Sequence, residues 1–102
     1  MERRSRRYFT VAEARALVPR LRRVLVALQA EKRELDRELN ELRRIAPLAF
    51  LNGNAHKLQA HEERIDALVR SIREKVRAVH ELGVEVKDLD MGLVDFPSLR
   101  DG

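Results

Sequence analysis

Cysteine and tryptophan are missing from this chain of 102 residues, and aromatic side chains amount to 4% of it. Without cysteine there can be no disulfide, no thiolate zinc site and no cysteine nucleophile. No stretch approaches the roughly 20 apolar residues that a helix needs to span a bilayer. The basic start, Met1-Glu-Arg-Arg-Ser-Arg-Arg7, is not followed by an apolar run of signal-peptide length, so a soluble, cytoplasmic protein is the expectation. Gly-rich phosphate loops are also missing. Ser5, Thr10, Ser71 and Ser98 have no His–acid pair within reach in any register, so the chain reads as non-catalytic, with no cofactor implied.

Charge is abundant instead. Asp, Glu, Lys and Arg make up 37% of the chain, which suits long exposed helices with a narrow apolar seam. The net charge of +4 is unevenly spread: residues 1–25 carry eight Arg against Glu2 and Glu13, while residues 83–102 carry Lys87 and Arg100 against five acids. A single domain of this length has little apolar surface to bury, and a partner chain is the natural way to complete the burial.

Thr10 followed by Glu13 is a capping box, with Phe9 placed to staple onto Ala14, so a helix starts near Val11. Pro19 crowds the carbonyl four residues earlier and predicts a kink or break near Leu17. Val18, Leu21, Leu25, Leu28, Lys32, Leu35, Leu39, Leu42 and Ala46 then follow alternating spacings of three and four, a heptad seam with one charged intruder. Ala46-Pro47 predicts the end of this helix, and Asn52-Gly53-Asn54 predicts a turn. Leu58, His61, Ile65, Leu68, Ile72, Lys75, Val79 and Leu82 repeat the seam, and Gly83 stands where a C-terminal glycine cap belongs, with Val84 able to reach back to Val79.

One register aligns the two seams throughout: Leu42 with Leu58, Leu35 with Ile65, Leu28 with Ile72, Leu21 with Val79 and Val18 with Leu82. The expected architecture is mainly α, an antiparallel two-helix coiled-coil hairpin. Its parts are a basic arm (1–9), a kinked first helix (10–46), a loop (47–54), a second helix (55–82) and an acidic, β-like tail (83–102). In the tail Val84 and Val86 alternate with Glu85 and Lys87, Asp90-Met91-Gly92 supplies a turn, and Leu93 to Phe96 forms the returning strand. A second apolar stripe at Val24, Ala27, Val69 and Val76 cannot be covered within one hairpin, and predicts a homo-oligomer built on those residues.

Gly83-Val-Glu-Val-Lys-Asp-Leu-Asp-Met-Gly-Leu-Val-Asp-Phe-Pro97, with Tyr8-Phe9-Thr10-x-x-Glu-Ala14 and Leu17-Val-Pro-x-Leu21, resembles a prokaryotic family catalogued as domain of unknown function 2203. The resemblance runs over nearly the whole chain. It implies a fold and, because the family has no assigned activity, no reaction.

Three places could carry chemistry. Asp88, Asp90 and Asp95 would suit Mg²⁺ or Ca²⁺, as a metal site or a small metal-dependent enzyme, if a hairpin gathered them, against the plainer reading of turn-flanking and solvated acids. Arg3, Arg4, Arg6 and Arg7, at the same end as Val86, Leu93 and Phe96, form a candidate surface for a protein partner. The same arm could contact nucleic-acid phosphates, although no DNA- or RNA-binding motif accompanies it. His56 and His61 are five apart and His80 lies near the other end of the second helix, so the three cannot share one site within a chain.

Overall fold

The computed structural model describes residues 9–49 and 51–96. Two helices, α1 (Val11–Ala49) and α2 (Ala55–Glu81), are followed by two short strands, β1 (Glu85–Asp88) and β2 (Leu93–Asp95), which pair antiparallel. The protein is mainly α: a pair of packed helices with a small β-hairpin.

The capping box forms as the sequence dictates. The Thr10 amide donates to Glu13 Oε1 at 3.0 Å, and the Glu13 amide donates to Thr10 Oγ1 at 3.1 Å, satisfying two donors that a helix start would otherwise leave open. Pro19 does not break α1, which continues past it as one element, and Pro47 does not end it either. A proline removes one backbone donor; in the last turn that loss is small, and α1 runs on to Ala49, beyond the expected boundary at Ala46. The end comes where the amides of Leu51 and Asn52 both reach back to the Leu48 carbonyl and Gly53 takes φ +76°.

At the far end of α2 the chain reverses on Gly83, at φ +91°, a conformation that other residues adopt only with strain. The Gly83 amide donates to the His80 carbonyl at 2.8 Å and the Val84 amide to the Val79 carbonyl at 3.4 Å, respectively the five-to-two and six-to-one bonds of a Schellman cap. Val84 is thereby swung into the interior, where it is fully buried.

Cross-helix contacts fix the antiparallel register. Leu21 packs in one cluster with Val79, Glu31 bonds Ser71 and Lys75, and Glu38 bonds His61 and Arg64, so residues ascend on one helix as they descend on the other. The main core is concentrated at one pole, where Phe9, Leu21, Val79 and Val84 are buried together and Leu17, Val24, Leu82, Val86, Val94 and Phe96 pack around them. Phe9 meets Phe96 edge to face, with ring centroids 5.3 Å apart and planes at 89°. Leu28 is buried midway along the seam, and Ala49 and Leu58 are buried toward the loop. The molecule measures 65 × 29 × 16 Å with a radius of gyration of 18.5 Å. A compact domain of this length would have a radius of about 13 Å.

A candidate interaction surface between helix and hairpin

The hairpin register pairs Glu85 with Asp95, Val86 with Val94 and Asp88 with Leu93, with an irregularity between Val86 and Asp88. Alternation along the strands sends Val86 and Val94 toward the helices and leaves Glu85, Lys87, Leu93 and Asp95 exposed. The turn closes through the Gly92 amide, which donates to the Leu89 carbonyl, and the Met91 amide, which donates to Asp88 Oδ1 at 3.2 Å.

This turn is fastened to the middle of α1. Gln29 Nε2 donates to the Asp90 carbonyl at 3.2 Å, and Lys32 Nζ bonds Asp90 Oδ1 at 3.1 Å and Asp36 Oδ2 at 3.0 Å. Gly92, at φ +68°, lies so near the Gln29 side chain that an added Cβ would come within 2.9 Å of its amide nitrogen. Hydrogen bonding to Asp36, and then to Asp90, holds the Lys32 ammonium above its ordinary pKa of 10.5. A raised lysine contributes stability at any pH below that ordinary value, fading as pH climbs through the raised one; the Asp36 share belongs to α1 itself, and only the Asp90 share to the docked turn. Lys32 is the charged intruder of the seam, and its partners give it a specific task. Lys32→Leu should therefore raise amide exchange at Leu89–Gly92 while leaving helix content unchanged; unaltered exchange at the turn would show that the ion pair does not hold it.

Between α1 and the hairpin runs a groove lined by Leu21, Leu25, Val94 and Phe96, with the exposed Val18, Val26 and Met91 and the Arg22 side chain also along it. Val26 is 60% exposed and Met91 70%.

The residues that the sequence singled out are distributed unevenly. Asp88, Asp90 and Asp95 do not converge on one site: Asp88 caps the turn, Asp90 turns to Lys32 and Asp95 stands exposed opposite Glu85. Among the described residues, no three His, Asp or Glu side chains gather in a way that could hold a metal ion. Val86 and Phe96 pack against the core, so of the three apolar residues expected on a partner surface only Leu93 remains outward. Arg3, Arg4, Arg6 and Arg7 lie outside the described residues. Val24 is packed against the core, whereas Ala27, Val69 and Val76 are half-buried. His56 and His80 are exposed on α2.

Two polar rungs in the helix interface escaped the sequence reading. Glu31 Oε2 accepts from Ser71 Oγ at 2.7 Å and from Lys75 Nζ at 3.1 Å, and Lys75 also bonds Ser71 at 2.8 Å. Glu38 lies 2.7 Å from His61 Nδ1 and 3.2 Å from Arg64 Nε. Glu31 and Glu38 are one heptad apart, immediately before the seam positions Lys32 and Leu39. That spacing, beside the polar seam positions His61 and Lys75, was the available signal.

Residues 7–102 match the family of uncharacterized conserved proteins designated DUF2203, and the chain belongs to it. No curated protein and no solved structure matches the chain. No helix among the described residues is long and apolar enough to cross a membrane.

Proposed function

We propose that the protein is a non-catalytic, homo-oligomeric interaction module in which the helix pair associates with further copies in coiled-coil fashion, in the cytoplasm. The observation that carries this reading is the half-buried state of Ala27, Val69 and Val76 on a molecule only 16 Å thick. A two-helix slab has no third layer to cover them, and a second copy supplies one. The polar rungs at Glu31 and Glu38 fit the same reading, because charged contacts within a seam limit the alternative alignments open to associating helices.

Sizing chromatography with light scattering, at roughly tens of micromolar protein, tests it. The expected result is a dimer or larger species that Val69→Asp with Val76→Asp converts to monomer, with helical circular dichroism retained. A parent protein running at 11.9 kDa sinks the reading.

A further inference from the structure

The groove between α1 and the hairpin belongs to a different flank from the stripe just described. Gln29, which the hairpin turn grips, and Ala27 are two residues apart on α1 and so face nearly opposite ways. Arg15, Val18, Arg22, Val26, Gln29 and Arg33 succeed one another at steps of three or four, making one continuous stripe along this edge of α1. At helical rise, Arg15 and Arg33 stand about 27 Å apart. All three arginines are exposed, and none forms an ion pair among the described residues.

An apolar floor beside a row of unpaired guanidinium groups calls for a ligand that is apolar at its centre and acidic along one side. The geometry points to a docking site for an acidic amphipathic segment of another protein, with one or two large apolar side chains in the groove and carboxylates against Arg15, Arg22 and Arg33. The groove, at about 290 Å³, has room for one or two such anchors and not for a whole helix, which would lie over its mouth. Guanidinium forks match carboxylates in pairs, and a charged rim sets partner choice and association rate more than it sets total affinity. A nucleic acid would use the arginines and leave the floor idle. The one aromatic among the described residues that line the groove, Phe96, is already packed on Phe9 and offers no stacking platform.

Selection of peptides from a random displayed library on the full-length protein provides the test. The expected winners carry Asp or Glu flanking one or two large apolar residues. They should bind about tenfold more weakly to Val26→Asp, and more weakly to the parent as salt rises. Val26 and Arg22 are exposed, so both variants should fold, as circular dichroism would verify. Selection on Arg22→Glu with Arg33→Glu should turn the preference toward basic peptides. The inference fails if the parent yields no peptides or basic ones, if charge reversal leaves the preference unchanged, or if single-stranded nucleic acid displaces the peptides through the same arginines. It also fails if a second copy fills the groove, as a change of oligomer size in Val26→Asp would reveal. Assembly through Val69 and Val76 is read separately by light scattering, so either result can fall alone.

Discussion

Phe9→Ala should destabilise the protein by about 3–5 kcal/mol, the usual cost of emptying a well-packed aromatic site. A domain of this size has roughly 5–15 kcal/mol in total, so the loss is a large share. Phe9 is 1% exposed and touches three parts of the fold at once: the start of α1, the end of α2 through Val79, and the hairpin through Phe96. The hairpin depends on this site because a two-stranded ribbon is marginal alone. Amide exchange should show β1 and β2 losing protection at denaturant concentrations where α1 and α2 still hold. A cost under about 1 kcal/mol, or hairpin and helices opening together, would mean that the turn's attachment at Gln29 and Lys32 is what holds the hairpin.

Leu28→Ala should cost about 2–5 kcal/mol for a different reason. Leu28 is completely buried midway along the seam, away from the pole cluster and between the polar rung at Glu31 and the packed Leu21. The cavity would weaken the contact between the helices themselves. Urea unfolding should then lose helix and hairpin signals in one transition at a lower midpoint. Early release of the hairpin alone, with the helix transition unmoved, would contradict this division of labour between the pole and the seam.

Local signals in the sequence translated directly into structure. Thr10 and Glu13 cap α1 as their spacing requires, Gly83 closes α2, and the period-two alternation after it places Val84 and Val86 inward. The pairing of Leu21 with Val79 followed from matching apolar residues, whereas Val18, set against Leu82 by the same register, is exposed and lines the groove instead. The features that were not legible depend on distance across the fold. Pro47 looks like a stop because the usual cost of proline belongs to helix interiors, and here it falls in a last turn that the chain completes. Lys32 stood out only as a charged intruder because its partner Asp90 lies far along the sequence and reaches α1 only once Gly83 has reversed the chain. The same reversal separates Asp88 from Asp90: one acid closes its own turn and the other crosses to the helix, so a cluster suggested by spacing becomes two unrelated contacts. The groove could not have been read from the chain, because its two walls come from segments whose relative placement only the assembled pole defines.

The distribution of contacts also sets the order in which the molecule assembles. Glu38 and His61 lie 23 residues apart around the Gly53 turn, so their rung costs less chain entropy to close than contacts further from the loop, and each further rung becomes a small additional step once the previous one is in place. Phe9 and Phe96 sit at the other extreme, brought together across nearly the whole sequence. They can meet only after both helices have zipped along their length and Gly83 has turned the hairpin back. If such late contacts form after the folding barrier, Phe9→Ala should speed unfolding and leave the folding rate nearly unchanged, which stopped-flow kinetics in denaturant would read. On that outcome the aromatic pair is a latch, setting the lifetime of the folded protein rather than the speed of its folding.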